Sequence, residues 1–358
     1  MNNLGLIARS RGNLKLAEDH FRRVLAIHEK ALGLEHPDVA GTASLLAEFY
    51  QREGQLEKAI GYQAQANDIR EHELALNLVA GSERQKVLYL NQSQTDLDQM
   101  LSLLAADGGR TREGLRAGLT VVLRRKGRSL DAMADSIQTL RQRASTEDRA
   151  LLDELTAAKT ALAVASLQRG GVVSTTPLGK RIAALEVNIE RLEAKISARS
   201  VEFRVQTQPI TLEAIQKALP PDATLVEYAV FHPFDPKVRR LGAPHYGVFV
   251  LGSKGEPQWA DLGDAQVIEL AVDALRRALS QRSSAVKRLA RNLEQLIFAP
   301  VRTLAGANAR WFLLSPDGRL SLVPFAALVD AKGQFLVENY SLGYVTSGRD
   351  LLRLEASV

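Results

Sequence analysis

The sequence of 358 residues contains no cysteine. This absence excludes disulfide bonds, thiolate metal sites and a catalytic cysteine within the chain. A chain without disulfides fits a reducing compartment, so we expect a cytoplasmic location. The sequence also lacks an apolar run of ~18 residues, the length that a membrane-spanning helix needs. Since the N-terminus shows no basic segment followed by an apolar stretch, we expect neither a membrane span nor a secretion signal.

Common catalytic and phosphate-binding motifs are missing as well. The sequence has no Gly-x-Ser-x-Gly, no His-Glu-x-x-His and no phosphate-binding glycine loop followed by Lys and Ser or Thr. His28, His36 and His72 lie far apart, without the close spacing that places metal ligands on one helix face. The sequence therefore predicts no catalytic site, no metal site and no cofactor.

The charges are mixed, with 46 basic against 41 acidic residues and a pI near 9.4. The densest basic stretch, from Arg110 to Arg128, is interpreted as a solvated helix face or as a phosphate-binding patch. It contains no aromatic residue on which a base could stack, which argues against single-stranded nucleic acid. We therefore favour the solvated face and expect no nucleic-acid partner.

The first part of the chain repeats itself at an offset of 42 residues, which aligns Leu4 with Leu46 and Gly12 with Gly54. Within each copy, a glycine at the position of Gly12 can end one helix in the left-handed conformation. The small residue Ala17 lets the next helix approach its neighbour closely. This pattern predicts pairs of helices that stack into a solenoid.

The stretch from Ala26 to Gly33, followed by Glu35 to Ala40, resembles the long form of the tetratricopeptide repeat. The resemblance covers about residues 1–80, and we expect further repeats upstream in a longer parent protein. It implies protein or peptide binding on the concave face, which the first helix of each repeat lines. The alternative is that the two repeats simply stack.

Repeat geometry selects partner-contacting candidates on the first helix of each repeat, although packing explains most of them equally well. These candidates are Asn3, Leu6, Ile7, Arg11, Phe49, Tyr50 and Arg52.

Residues 81–200 keep a helical period while the repeat decays, and Gly108-Gly109 interrupts it. We expect helices over about 111–126, 129–143 and 146–168, then a loop over 170–177.

The following helix carries a heptad seam whose apolar residues alternate in spacings of four and three. The seam residues are Leu178, Ile182, Leu185, Ile189, Leu192 and Ile196. An antiparallel hairpin with the 146–168 helix is one interpretation. Self-association through Ile182 to Ile196 is the other.

After residue 205 strands and helices alternate. We expect strands over 224–231, 246–251, 258–262 and 311–315, with extended pieces over 335–338 and 341–346. Helices are expected over 211–219, 265–281 and 284–304, the first two capped by Thr211 and Asp264. The fold class is thus a helical solenoid, a helical hairpin or coiled-coil middle, and a partial α/β sheet.

Four segments of this part resemble the CHAT domain, a caspase-like family: Leu225–Tyr228, Leu313–Gly318, Leu320–Leu328 and Tyr344–Ser347. The resemblance covers about residues 205–358. It implies a mostly parallel sheet covered by helices on both faces.

The resemblance also implies a His/Cys dyad, with both residues placed after the segment that ends at Ser347. The chain has no cysteine, and His232 and His245 precede that segment. We interpret these two histidines as surface loop residues. The sequence therefore predicts the N-terminal half of a CHAT domain, without its catalytic pair.

Three hypotheses of function follow from these features. The first is a protein–protein interaction scaffold of a bacterial CHAT-type protein, catalytically incompetent as given. The second is a fragment of a caspase-like cysteine peptidase whose dyad lies beyond residue 358. The third is a natural pseudo-enzyme that uses the half-domain for docking. A sheet cut short is expected to expose an unpaired edge and an uncovered apolar face, and hence to associate.

Overall fold

The computed structural model describes residues 2–79, 82, 84, 94–126, 146–167, 177–200 and 210–355. The helix expected over 129–143 and the loop expected over 170–176 lie outside these residues. The chain divides into two compact units. Met1–Arg70, Thr95–Lys126 and Pro209–Val358 form the first, and Glu71–Gln94 with Gly127–Gln208 form the second.

The first unit begins with two helix pairs, as the repeat predicts, and the last of these helices continues past Arg70 into the second unit. The helices are α1 (Asn2–Ser10), α2 (Leu14–Leu32), α3 (Pro37–Arg52) and α4 (Leu56–Val79). Gly12 and Gly54 end α1 and α3 at equivalent positions, with φ of 77° and 74°. This left-handed backbone favours glycine, which explains why the offset of 42 residues preserves it.

Small and aromatic side chains fill the core of the repeats. Ala17 and Ala59, equivalent residues of the two copies, are both fully buried. Phe21 and Phe49 pack beside them with ring centroids 5.9 Å apart. Leu103, from the next helix along the chain, joins the same core. The stack of helices therefore continues beyond the two recognisable repeats.

Two further helices, α5 (Gln94–Asp107) and α6 (Arg112–Arg125), follow the repeats. The chain turns between them at Gly108-Gly109, as expected. Asp107 Oδ2 closes this turn by accepting hydrogen bonds from the backbone N–H groups of Arg110 and Thr111 at 2.9 and 2.8 Å. Because these bonds satisfy N–H groups at the start of α6, they fix the angle at which α6 leaves α5.

The C-terminal part of the first unit forms a five-stranded mixed sheet in the order β5-β4-β1-β6-β7. Its strands are β1 (Ala223–Phe231), β4 (His245–Gly252), β5 (Gln258–Asp264), β6 (Trp311–Ser315) and β7 (Ser341–Tyr344). A small ribbon of β2 (Phe234–Asp235) and β3 (Arg240–Leu241) lies in the β1–β4 connection.

The expected, mostly parallel sheet is only half parallel. β1, β6 and β7 run parallel, whereas β1, β4 and β5 pair antiparallel. The short connection 253–257 between β4 and β5 permits an antiparallel turn but not a parallel crossover.

Helices accompany the strands along this part of the chain. They are α9 (Leu212–Ala218), α10 (Ala265–Ser280), α11 (Val286–Ile297), α12 (Ala299–Ala305), α13 (Leu336–Asn339) and α14 (Asp350–Glu355), with 3-10 turns at Gly318–Leu322 and Phe325–Ala327. Thr211 and Asp264 cap α9 and α10 by accepting from the N–H groups of Ala214 and Gln266, as expected.

Both faces of the sheet are covered, so the expected uncovered apolar face is wrong. Along β1, Val226 and Tyr228 enter a core shared with α10, α11 and α12. Leu225 and Phe231 point to the other face and pack with α5, α6 and α9. The middle segment therefore supplies the second helical layer. The expected open edge is present, because β7 pairs with β6 alone among the described strands.

Two local predictions are wrong for identifiable reasons. Of the piece over 335–338, only Phe335 is extended and bridges Val329. The residues after it form the helical turn α13, because Glu338 reaches back to the backbone N–H of Phe335 at 2.7 Å. The single helix expected over 284–304 is broken at Phe298 into α11 and α12. Pro300 has no N–H to continue the hydrogen-bond ladder, so a new helix starts there.

In the second unit α7 (Thr146–Leu167) and α8 (Pro177–Ser200) pack together. Leu155 and Ala158 of α7 meet Ile189, Leu192 and Ile196 of α8. The hairpin interpretation is therefore confirmed.

Self-association through Ile182 to Ile196 stays a prediction, and the same contacts argue against it for the second half of the seam. Ile182 is buried, and Leu185 is half-buried. Since Ile189, Leu192 and Ile196 pack against α7, these three seam residues are already occupied within the chain.

Replacing a buried seam residue by alanine tests whether the seam holds α7 and α8 together. Leu192→Ala removes a fully buried side chain and should destabilise the hairpin by about 2–5 kcal/mol. Val187→Ala, on the exposed face of the same helix, is the matched control. Hydrogen exchange should accelerate in both α7 and α8 for the first variant alone. A drop in sedimentation mass without faster exchange would instead show that the seam joins two copies.

Candidate functional site

The seven partner-contacting candidates on the repeats differ in their exposure to solvent. Ile7, Arg11 and Arg52 are exposed. Phe49 and Tyr50 are 2% and 1% exposed, so both pack into the repeat core instead of projecting from the surface of α3. Asn3 and Leu6 lie in α1, and their side chains fall outside the described part of the structure.

Beside Tyr50 lies a surface pocket that the repeat pattern did not predict. Its ring stacks on Tyr62 with a centroid distance of 5.5 Å and an interplanar angle of 7°. Lys58 Nζ lies 4.9 Å from the Tyr50 ring centroid, within the range of a cation–π contact. These groups line a cavity of about 320 Å³, here called the aromatic pocket, formed by Arg22, Tyr50, Lys58, Gly61, Tyr62 and Gln65.

The floor of the aromatic pocket is held in place by hydrogen bonds. Tyr50 donates its hydroxyl to Glu18 Oε1 at 2.7 Å. Burial, followed by the adjacent Glu18 carboxylate, raises the pKa of Tyr50, so the phenol keeps its proton and remains the donor. Gln65 Nε2 donates to Glu29 Oε1 at 3.2 Å. The pocket is therefore preorganised by groups from α2, α3 and α4.

Little in the sequence indicated this pocket, because its residues differ between the two repeats. At the offset of 42 residues, Tyr62 aligns with His20 and Lys58 aligns with Leu16. A repeat match highlights shared positions, whereas this pocket uses unshared ones.

A second groove of about 580 Å³ is bordered by Arg112, Arg116, Arg124 and Asp68, among other residues. Arg112 and Arg116 reach Glu256 at 2.5 and 3.1 Å, and Arg124 reaches Asp68 at 2.6 Å. These three arginines of the basic stretch are thus paired with carboxylates of the chain. The solvated-face interpretation is refined to a set of ion pairs, and the phosphate-patch interpretation gains no support.

A buried ion pair lies beneath the C-terminal end of α6. Glu227 sits on the β1 face that also carries Leu225, and it is fully buried. Lys126 Nζ lies 3.1 Å from Glu227 Oε2. The ammonium also donates to the carbonyl oxygens of Tyr228 and Ser315 at 2.9 and 2.6 Å. A carboxylate inside an apolar layer needs such a partner, because an uncompensated buried charge is costly.

The second oxygen of Glu227 engages the chain after β7. Glu227 Oε1 accepts from Ser347 Oγ at 3.1 Å and from the backbone N–H of Gly348. We call Lys126, Glu227, Ser315 and Ser347 the buried polar cluster. It connects α6, β1, β6 and the segment after β7. The sequence offered one signal for it, a lone carboxylate in the apolar run of β1.

The buried polar cluster has the composition of a Ser–Lys dyad, but its geometry opposes nucleophilic chemistry. Ser315 Oγ lies 2.6 Å from Lys126 Nζ, yet Ser315 is fully buried. Its hydroxyl donates to the Thr346 carbonyl at 2.8 Å, so the proton points away from the amine. Lys126 Nζ is salt-bridged to Glu227 and also donates to the carbonyl oxygens of Tyr228 and Ser315, so the nitrogen is fully engaged by acceptors. We interpret the cluster as structural.

The two histidines expected in surface loops lie beside carboxylates, and the expectation is wrong for His245, which is the first residue of β4. His245 Nδ1 is 3.1 Å from Asp261 Oδ2, and His232 Nδ1 is 3.5 Å from Asp98 Oδ2. Both imidazoles are partly exposed. Among the described residues no group of His, Asp and Glu could hold a metal ion. Within the same residues, no helix has the length and apolar content to cross a membrane.

Comparison with known families identifies both ends of the chain. The model of the tetratricopeptide repeat matches residues 1–72, and that of the CHAT domain matches residues 287–358. No curated protein matches the chain. The CHAT match begins within α11, whereas the resemblance drawn from the sequence begins near residue 205 and includes β1.

Removing one charge of the buried polar cluster tests its structural role. Lys126→Met leaves the fully buried Glu227 carboxylate without its counter-ion, and should cost about 3–5 kcal/mol of unfolding free energy. Arg319→Met breaks the exposed pair with Asp273 and should cost about 0–1 kcal/mol. Chemical denaturation compares the two variants.

Adding Glu227→Gln to Lys126→Met should recover part of the loss, because the double variant buries no uncompensated carboxylate. Equal stabilities of the Lys126→Met and Arg319→Met variants would contradict a structural role for the cluster.

Proposed function

We propose that this chain, which carries a tetratricopeptide repeat at residues 1–72 and a CHAT domain at residues 287–358, is a protein–protein interaction scaffold. The repeats bind a partner protein or peptide, and the C-terminal sheet serves as a folded support without a nucleophile. The chain has no cysteine, so it cannot supply the thiolate on which caspase-like chemistry depends.

The observation that carries this proposal is the open aromatic pocket at the junction of the two repeats. Arg22 comes from α2, Tyr50 from α3 and Tyr62 from α4. The pocket is preformed, and it opens on the second helices of the two repeats, α2 and α4, which supply all of its lining except Tyr50. A separate candidate surface lies on the first helices of the repeats, where Ile7 and Arg52 are exposed, together with Arg11 directly after α1.

We further propose domain limits of 1–80 for the repeats, 81–200 for the helical extension and 205–358 for the CHAT part. The start near 205 is supported by the sheet, because β1 pairs with β6 inside the matched region. It is also supported by Thr211, which caps α9. In this proposal α5 and α6 belong to the extension by sequence and to the first compact unit by packing.

A second candidate function is that of a fragment of a caspase-like cysteine peptidase, with the His/Cys dyad beyond residue 358. The CHAT match favours it, as does the parallel pairing of β6 and β7. Catalytic groups of open parallel sheets gather beyond the carboxyl ends of such strands.

Affinity selection tests the scaffold function. The full chain should enrich specific sequences from a displayed peptide library. Arg11→Glu combined with Arg52→Glu should weaken binding of the selected peptides about tenfold, because both exposed charges lie on the proposed surface. Arg276→Glu, exposed on α10, is the matched control. Peptides that bind the double variant as tightly as the unchanged chain would place the binding surface elsewhere.

The size of the native protein separates the two candidate functions. An antibody raised against residues 1–80 should detect a product of 39.2 kDa in the source cells if the scaffold acts alone. A much larger product would favour the peptidase, and its activity should then be sought with thiol-reactive probes.

A further inference from the structure

We propose that the aromatic pocket binds an acidic side chain of an extended partner segment. Its carboxylate would lie between Arg22 and Lys58, with a neighbouring apolar side chain against Tyr62. This inference rests on the proposed scaffold function and names the chemistry of the partner. It uses side chains other than Ile7, Arg11 and Arg52, so the two proposals can fail separately.

The size of the pocket fits a side chain rather than a cofactor. Its volume is about 320 Å³, at the lower limit for small-molecule sites. The cavity opens on the surface of α2 and α4, where Arg22 and Lys58 are exposed. A protruding peptide side chain can therefore enter while its backbone stays outside.

The charges around the pocket select an anion. Arg22 carries a guanidinium with 61% of its side chain exposed, and its partner Glu18 lies 3.6 Å away. An exposed pair of this kind is weak, so Arg22 can turn to a second carboxylate at little cost. Glu18 is itself held by the Tyr50 hydroxyl. Lys58 Nζ adds a second positive charge above the Tyr50 ring.

The aromatic floor selects an apolar neighbour for that anion. The Tyr50–Tyr62 stack is nearly parallel and is anchored in the repeat core. Tyr62 remains half-exposed, so a flanking Leu, Ile or Phe can cover its free surface. Burying that surface adds binding free energy to the charge contact and limits the site to an acidic residue beside an apolar one.

Single-stranded RNA is the competing occupant, since cations and aromatic rings also bind bases. Tyr50 is 1% exposed, and Tyr62 already stacks on it, so neither ring offers two free faces. The geometry therefore favours the acidic peptide.

Fluorescence anisotropy with the full chain provides the test. The probes are a labelled peptide of alternating Glu and Leu, its Gln-for-Glu counterpart and a labelled oligouridine. We expect the Glu peptide to bind about tenfold more tightly than the Gln peptide at low salt. Lys58→Gln and Arg22→Gln should each weaken its binding about fivefold, whereas Lys30→Gln, exposed elsewhere on α2, should leave it unchanged.

Four results of these measurements would overturn the inference that the pocket binds an acidic side chain. Equal binding of the Glu and Gln peptides, no binding of either, or indifference to Lys58→Gln overturns the acidic-residue inference. Tighter binding of oligouridine that displaces the peptide overturns it in favour of a nucleic acid. If selected peptides respond to the Arg11 and Arg52 substitutions but not to Lys58→Gln, the scaffold function stands and this inference falls. All substituted side chains are exposed, so folding is preserved.

Discussion

The packing of α5 is the constraint on which the first unit depends, because adjacent residues of this helix enter two cores. Leu103 is buried with Phe21 and Phe49 in the core of the repeats. Leu104 is buried with Leu225 and Phe249 on one face of the sheet. A sheet with apolar side chains on both faces requires a helical layer on each. The helices that follow the repeats provide the second layer, so the repeats and the sheet share one compact unit.

The close approach of α6 to the sheet has steric and electrostatic consequences. A Cβ added at Gly118 would lie 2.9 Å from the Phe249 ring, so glycine is needed where α6 crosses β4. At the end of the same helix, Lys126 reaches down to Glu227. The ion pair is specific to one placement of α6, because its ammonium also donates to carbonyls of β1 and β6. The apolar contacts thus stabilise the layer, and the buried polar cluster fixes its position.

Local features were predictable from the sequence because they depend on a few neighbouring residues. Gly12 and Gly54 end their helices, and Thr211 and Asp264 cap theirs. The principal strands follow runs of apolar and β-branched residues. The wrong predictions of local structure arise where local signals compete, as at Glu338, whose side chain accepts a hydrogen bond from the Phe335 N–H and stabilises a helical turn where an extended segment was expected.

The contacts between distant segments were not predictable. The sequence showed Lys126 within a basic stretch and Glu227 within a strand, but not their pairing across 101 residues. For a similar reason, only part of the candidate binding site could be predicted from the sequence. Ile7, Arg11 and Arg52 follow the repeat geometry, whereas the aromatic pocket depends on Tyr62 and Lys58, which the repeats do not share. Phe49 and Tyr50 were selected on a surface helix although their side chains turn inward.

Native-state hydrogen exchange on the full chain tests the central claim, that α5 and α6 join the repeats and the sheet into one cooperative unit. Backbone amides of α3, α5, α6 and β1 would be followed as denaturant is raised. The shared packing of Leu103 and Leu104 predicts that their opening free energies converge to one value with a common denaturant dependence. Repeats that open at a lower free energy while β1 stays protected would contradict it.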